Sequence, residues 1–467
     1  MTTIVNTVLS ENRGKPRVWL EGEKLAREGL EVGMTFDIEI KHSKFILRPT
    51  ENGKYTVSKR TRNGLVHPLI ELTNEELREV FKGVEMLRVA IHKGKIIISE
   101  HHMTKRIAER VKRLVRKVKA NKPLDIMSLY HGGGGLDLSL HDGMAQAGIK
   151  SQIALAIEME STYLDSSLRN NPQLFSSNSL IIESKIQSVN YYKEGKQCDG
   201  AYLGIPCNAS SRSGRSKNGT WGDTKGKFVE SHDEAGTLFY QAMMLIDQAN
   251  VAYVVIENVP EYAQSASADI IRSLLTSWGY KFQEAELCGT DFGSLEKRTR
   301  WCLVAVTEGL EIGDLDLSNL QSMHTKPEKI SDIFQDEPLS QDDWKRYEYL
   351  ADKAERDAKA GKGFKRQLLT GNEPHCGTLG KGYKKARSTE PFILHRDFKD
   401  NGLQRLFTEI EHCRLKRFPE SFIANNSATR SHEILGQSVV YSVFFAVGYA
   451  LGKAIRNDGQ IDLSLAA

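Results

Sequence analysis

The stretch Asp125-Ile126-Met127-Ser128-Leu129-Tyr130-His131-Gly132-Gly133-Gly134-Gly135 decides the fold of this chain. A short apolar run, suited to a buried strand, leads straight into four glycines. Without a Cβ, each glycine lets the backbone approach a ligand closely. Three more apolar runs follow. Residues 153–157 end at Glu158, 201–204 end at a Pro206-Cys207 turn, and 251–256 end at Glu257. Polar residues just past the carboxyl ends of buried strands occupy the binding edge of a doubly wound sheet. The expected fold class is α/β, a doubly wound, mostly parallel sheet over residues 123–307.

The glycine loop narrows the ligand. No Gly-Lys-Ser/Thr follows it, so it is not a Walker-type phosphate cradle. The dinucleotide spacing is missing too, though glycines alone leave a degenerate form of it open. Glu158 closes the next strand, where an acid can accept both hydroxyls of a ribose. Loop plus acid suits an adenosine-bearing cofactor such as S-adenosylmethionine. A structural turn beside a surface glutamate would look the same.

Cys207 lies in Leu203-Gly204-Ile205-Pro206-Cys207-Asn208-Ala209-Ser210-Ser211. A catalytic cysteine needs a lowered pKa. Pro206 fixes the turn, and Arg212, Arg215 and Lys217 bring positive charge that favours a thiolate and attracts phosphate. Taken singly, Cys207 reads as a core cysteine. Glu257, in Val254-Val255-Ile256-Glu257-Asn258-Val259-Pro260, reverses that balance, because the end of a strand is a poor place for a merely structural acid. Arg298 and Arg300 follow in Glu296-Lys297-Arg298-Thr299-Arg300-Trp301. In a strand they share one face, and such a fork of guanidinium donors could hold a base carbonyl or a phosphate. They could equally be ion-pair partners of Glu257 or Glu296.

The whole chain sets bounds. Its 467 residues exceed one ordinary core, so two or three domains are expected. Hydrophobic content of 40% and charged content of 27% are those of a soluble globular protein. A net charge of +4 permits a nucleic-acid partner without requiring one. The six cysteines form no C-x-x-C pair, which argues against a zinc site or disulfide framework and fits a reducing compartment. The amino terminus lacks the apolar run of a signal peptide, and no apolar stretch approaches the roughly 18 residues of a membrane span. The expected location is cytoplasmic, with no membrane and no metal.

Residues 1–103 hold a degenerate repeat. Arg17-Val18-Trp19-Leu20, Glu23-Lys24-Leu25, alternating Phe36, Ile38 and Ile40, and Lys44-Phe45-Ile46-Leu47 form the first copy. Leu69-Ile70-Glu71-Leu72, Glu75-Glu76-Leu77, alternating Leu87, Val89 and Ile91, and Lys95-Ile96-Ile97-Ile98 form the second. Each reads as strand, short helix, strand, tight turn, strand, with Lys93-Gly94 a hairpin signal. The stretch resembles the AbrB and SymE group of small swapped-hairpin β-barrels, in which two copies form one DNA-binding barrel. A packing module without a ligand fits as well. Residues 104–122 read as a basic amphipathic helical linker, whose charged face could follow a phosphate backbone or simply be solvated. Residues 308–405 lose the strand–helix rhythm and read as a second domain or a long functional insertion, with a charged helix over 342–359. Residues 433–455 read as strand or turn, then a helix returning to the sheet, so that 432–457 complete the catalytic domain.

Together these motifs resemble the DNA cytosine-5 methyltransferase family, in family order, over 123–307 and 402–455. Tyr130 stands in the first motif where the family usually has Phe. Glu158 matches the ribose-binding acid, and Asn170-Asn171-Pro172 closes that motif. Gly204-Ile205-Pro206-Cys207 resembles the nucleophile motif, with Ile205 for Pro and Asn208 for Gln. Glu257-Asn258-Val259 is the acid motif unchanged. Glu296-x-Arg298-x-Arg300 carries Glu for the usual Gln. Arg405, Thr408, Glu411 and Arg414-Leu415 leading to Phe418-Pro419 resemble the penultimate motif. Gly436-Gln437-Ser438-Val439 resembles the last, with Gln for Asn.

The resemblance implies that Cys207, Glu257, Arg298 and Arg300 are catalytic. It implies that Tyr130, Gly132, Gly134, Gly135, Leu136, Glu158, Pro206, Gln437 and Ser438 bind S-adenosylmethionine. Double-stranded DNA is the implied partner, with 308–431 the target-recognition domain. Ser211, Arg212, Arg215, Lys217, Lys381, Lys384, Lys385 and Arg387 are the implied DNA contacts. A cognate restriction endonuclease, not stably bound, is a further implied companion. Oligomeric state is open. Two other readings stay open: a tRNA cytosine-5 methyltransferase, and a catalytically silent DNA-binding regulator, for which Tyr130, Glu296 and Gln437 would speak.

Overall fold

The computed structural model describes residues 1–189, 197–206, 230, 236–310, 313, 315–335, 340–361 and 366–458. Cys207 lies outside the described residues, as do Ser211, Arg212, Arg215 and Lys217. The chain divides into two compact units, one spanning Met1–Lys112 and one beginning at Arg113.

The first unit is built from two copies of one arrangement. The first comprises β1 (Thr2–Val8), β2 (Ser10–Asn12), β3 (Lys15–Glu21), the helix Glu23–Ala26, β4 (Thr35–Ile40) and β5 (Phe45–Pro49). The second comprises β6 (Tyr55–Thr56), β7 (Ser58–Arg62), β8 (Leu65–Thr73), the helix Glu76–Val80, β9 (Met86–His92) and β10 (Lys95–Glu100). Equivalent strands pair across the copies. In β3 and β8, Val18 faces Leu72 and Leu20 faces Ile70. In β5 and β10, Phe45 faces Ile98 and Leu47 faces Ile96. Exchanging the copies returns the same pairs, so the unit has an internal pseudo-two-fold axis. One core holds side chains of both copies, among them Val18, Leu25 and Phe45 with Ile70, Leu77 and Ile96. Neither copy could bury these residues alone, and their removal from water favours the pairing.

The second unit contains a seven-stranded sheet. Its strands are β11 (Leu124–Leu129), β12 (Ser151–Glu158), β13 (Phe175–Glu183), β14 (Gly200–Gly204), β15 (Tyr253–Asn258), β16 (Tyr280–Cys288) and β17 (Thr299–Thr307), in the order β13-β12-β11-β14-β15-β17-β16. The first five run parallel, and β17 is antiparallel to both neighbours. Nearly every residue of β11, β12, β14 and β15 is buried, which is why these strands read as continuous apolar runs. Helices Gly135–Gln146, Ser161–Asn170, Leu238–Ala249 and Ala266–Ser277 alternate with them. Strand order reverses between β11 and β14. The switch point therefore lies where the glycine loop leaves β11 and the Pro206 turn leaves β14.

Two local expectations are corrected. Residues 428–440 hold no strand: the helix Ala428–Gln437 leads almost directly into the helix Tyr441–Asp458. Ser427 caps the first of these, its Oγ accepting from Arg430 N, and Ser431, Ile434 and Leu435 are buried at helical spacing. The second packs on Gly135–Gln146, where a Cβ at Gly448 would come within 2.5 Å of Leu140 O. The charged helix is Glu348–Lys359 rather than 342–359. It starts late because Trp344 packs edge-on against His395, with ring centroids 4.9 Å apart, and Lys345 bridges to Gln404 in extended form.

Residues 367–405 supply a small sheet, β18 (Gln367–Leu369), β19 (Pro391–Leu394) and β20 (Gln404–Arg405). Ile330, Ile333, Leu379, Tyr383 and Phe407 form a core there. Among the described residues, no single helix is long and apolar enough to cross a membrane.

Candidate active site

The glycine loop turns on left-handed backbone at Tyr130 (φ 60°), Gly132 (58°) and Gly134 (79°). A non-glycine residue is uncommon in this region, and Tyr130 is held there by its hydroxyl, which donates to Leu238 O at 2.7 Å. Burial pushes its phenol pKa upward. His131 is buried beneath the loop, with Nδ1 2.9 Å from Ser128 Oγ and Nε2 2.7 Å from Ser167 Oγ.

Glu158 ends β12 with its carboxylate facing the loop. Oε2 accepts from Gly132 N at 2.7 Å, and Oε1 accepts from Met159 N and Glu160 N at 2.9 Å each. The last motif closes the loop from the other side. A Cβ at Gly133 would come within 2.5 Å of Ile434 Cγ2, and one at Gly135 within 2.7 Å of Ser438 Oγ. Gln437 is exposed, with Nε2 3.6 Å from where a Gly132 Cβ would stand. Leu136 is half-buried at the start of the helix. The structure thus gathers Gly132, Gly134, Gly135, Glu158, Gln437 and Ser438 around one loop. Open space at Gly132, where a Cβ would meet nothing nearer than Gln437 Nε2 at 3.6 Å, with a carboxylate at its rim, fits an adenosine-bearing cofactor such as S-adenosylmethionine.

The neighbouring strand ends form the second half. Gly204 pairs with Glu257, and a Cβ at Gly204 would stand 3.6 Å from Glu257 Oε2. With glycine here, no side chain at position 204 stands against that oxygen. Buried Asn258 donates from Nδ2 to Ile205 O at 3.1 Å, while its Oδ1 accepts from Val259 N at 2.8 Å. This ties down the backbone at Ile205, two residues before Cys207 in sequence. Arg300 Nε lies 2.9 Å from Glu257 Oε1, both side chains 14% exposed.

The two arginines do not form one fork. Arg298 precedes β17, so strand alternation does not govern it. It is buried, with Nη1 3.8 Å from Glu296 Oε1 and 3.5 Å from Leu379 O. Each arginine therefore has its own acid.

Sequence reasoning missed Lys416. Its Nζ lies 2.7 Å from Glu296 Oε2, both side chains fully buried. Burial, and Arg298 nearby, push its pKa down to about 7. A lysine between Leu415 and Phe418, with a glutamate at position 296 where the family usually has glutamine, was the available signal. The penultimate motif serves structure: Arg405 clamps Glu411 through Nη1 (2.6 Å) and Nη2 (2.9 Å), and Thr408 and Glu411 form a capping box. Lys381 Nζ sits 4.9 Å from the Tyr163 ring centroid, and Arg430 lies equally close to that ring. Lys384, Lys385 and Arg387 are exposed around the turn Tyr383–Lys385.

A doubly wound sheet with a glycine loop at its switch point and an acid ending the next strand suits a protein that binds an adenosine-bearing cofactor. The family model of C-5 cytosine-specific DNA methylases matches residues 124–453. The chain belongs to this family and is a DNA cytosine-5 methyltransferase. It is 26% identical over 254 residues to the Type II methyltransferase M.DsaV of Dactylococcopsis salina, covering 52% of this chain and 66% of that one. It is 23% identical over 270 residues to M.HhaI of Haemophilus parahaemolyticus, covering 54% and 75%. Over 217 residues it is 23% identical to a tRNA (cytosine(38)-C(5))-methyltransferase of Spodoptera frugiperda, covering 45% and 59%. The fold is shared with the S. pombe Dnmt2 methyltransferase, at a TM-score of 0.53 and 18% identity, covering 71% of this chain and 98% of that one.

Proposed function

We propose that the chain methylates carbon 5 of a cytosine swung out of duplex DNA at a specific sequence, through a covalent adduct at Cys207. The observation that carries this reading is the convergence at one sheet edge. Glu257, its partner Arg300 and the tethered backbone of Ile205 all end beside the glycine cradle.

Carbon 5 of cytosine is a weak nucleophile. The Cys207 thiolate adds to carbon 6 and pushes electron density toward carbon 5. Glu257 delivers a proton to ring nitrogen 3 from its Oε2, which faces Gly204 while Arg300 holds Oε1, and so neutralises the charge that develops there. Arg300 reaches the base oxygen, and Arg298 supports it. Bound S-adenosylmethionine supplies an electrophilic methyl group, which carbon 5 takes. A base then removes the carbon 5 proton and Cys207 is eliminated. Gly132, Gly134, Gly135, Leu136, Glu158, Gln437 and Ser438 hold the cofactor, with Tyr130 and Pro206 beside it. Because the ring is unreachable inside a duplex, the cytosine must leave the stack. Residues 308–431 read the target in the major groove, and Ser211, Arg212, Arg215, Lys217, Lys381, Lys384, Lys385 and Arg387 contact the backbone. The enzyme acts in the cytoplasm, and a restriction endonuclease of matching specificity is its natural companion.

A tRNA substrate is the second reading, favoured by the Spodoptera frugiperda relative. Bisulfite sequencing of DNA and tRNA from cells expressing the protein tests both. Methylated cytosines at one recurring DNA sequence are expected, and methylation confined to tRNA overturns the DNA reading.

A further inference from the structure

We propose that Lys416 is a positioning residue for the base-binding arm: buried against Glu296, it keeps Arg298 and the recognition segment at Leu379 in register with the strand that carries Arg300. The proposal rests on the functional reading above.

Glu296 is fully buried, and burying a carboxylate without a close partner is costly. Its two oxygens face different ways. Oε1 accepts from Leu379 N at 2.8 Å, and Oε2 meets Lys416 Nζ at 2.7 Å. Arg298 stands off at 3.8 Å from Oε1 and is also drawn toward Leu379 O. Among the described residues Lys416 is thus the cation closest to Glu296. Without it, Arg298 is the next described cation beside the carboxylate, and Arg298 lies two residues from Arg300.

The lysine is itself held by both halves of the site. Its carbonyl accepts from Tyr441 N at 3.0 Å, and its Nζ lies 3.4 Å from Ser438 O, in the motif that closes the glycine loop. Next to it, Leu415 O accepts from Ser294 Oγ at 2.7 Å. The segment around Cys376 and the segment just before β17 also meet here, through Lys297 N to Cys376 O (2.8 Å) and Cys376 N to Leu295 O (2.9 Å). One buried cation therefore sits where recognition segment, base-binding arm and cofactor loop come together.

The test uses the full chain and a double-mutant cycle of Lys416→Gln, Glu296→Gln and both together. Two neutral amides of the same length can pair where one amide facing a lone buried charge cannot. Single-turnover methyl transfer to DNA, S-adenosylmethionine affinity and Tm are measured. Each single variant is expected to lose about 30-fold in rate and less than about 3-fold in cofactor affinity, and the double to recover to within about 5-fold of wild type. A Lys416→Gln enzyme at wild-type rate, or a double variant whose loss is the product of the singles, overturns the proposal. So does a rate that falls in step with Tm and cofactor affinity. If a single variant fails to fold, the double decides: a folded, active double upholds the proposal and an inactive one overturns it. A wild type that methylates no cytosine strikes the functional reading instead, whereas an active wild type with uncoupled variants strikes only this one.

Discussion

Glu257 and Arg300 are diagonal neighbours on adjacent antiparallel strands. Glu257 pairs directly with Cys302, and Arg300 lies two residues before it on the same face, so a long side chain spans the diagonal. Their 2.9 Å contact follows from strand register. A slip of one residue would send Arg300 to the opposite face of the sheet.

Glu257→Gln keeps the shape of the side chain but removes the charge that Arg300 faces. Methyl transfer is expected to fall by about 10²–10³-fold, with S-adenosylmethionine affinity nearly unchanged. Stopped-assay rates and calorimetric titration of the cofactor check this, and wild-type turnover would refute the role of Glu257.

Asn258→Ala severs the side-chain tie between the acid strand and Ile205 O. It also leaves a buried carbonyl short of a donor, at about 1–3 kcal/mol. Tm should fall, and the rate should fall further than the loss of folded protein explains, because Cys207 follows two residues after Ile205. Thermal melting and active-site-normalised rates separate the two effects.

Gly135→Ala places a Cβ within 2.7 Å of Ser438 Oγ and 3.0 Å of Phe418 Cζ. Overpacking of this kind costs about 1–3 kcal/mol, and it pushes the last motif away from the loop. S-adenosylmethionine affinity should weaken by at least about tenfold, as 1.4 kcal/mol corresponds to. Equilibrium binding measures it, and unchanged affinity would remove Gly135 from the cofactor site.

Glu390 provides a test by pH. Burial pushes its carboxyl up to about 7 from an ordinary 4.5. The native state then holds a proton that the unfolded chain has released, so stability falls as pH rises between those values. Glu390→Gln cannot ionise. The variant should match wild type below about pH 4.5, gain on it through the window, and lead by about 3 kcal/mol above pH 7. Chemical denaturation across pH 4–8 gives the difference, and parallel curves would contradict it.

The sheet was legible because its strands are buried on both faces. Runs such as 153–157 and 251–256 are then continuously apolar and end on the polar residues that matter, Glu158 and Glu257. The repeat in the first unit was visible for a similar reason: Leu25 and Leu77, or Phe45 and Ile96, are core positions that tolerate little change. The two arginines misled because alternation assumes a strand, and Arg298 lies one residue before it starts. Lys416 escaped because its partner is 120 residues away in sequence, and local pattern says nothing about long-range charge pairing. The segment from Glu433 reads as strand or turn in isolation because the Ser427 cap that starts its helix lies upstream of it.

The central claim is that Cys207 attacks a cytosine held by Glu257 and Arg300. Duplex DNA carrying 5-fluorocytosine in the target, incubated with enzyme and S-adenosylmethionine, tests it most directly, since fluorine blocks the proton loss that frees the cysteine. The account predicts a denaturation-resistant protein–DNA adduct with wild type and none with Cys207→Ser. No adduct from a methylating wild type, or an adduct that persists in Cys207→Ser, would contradict it.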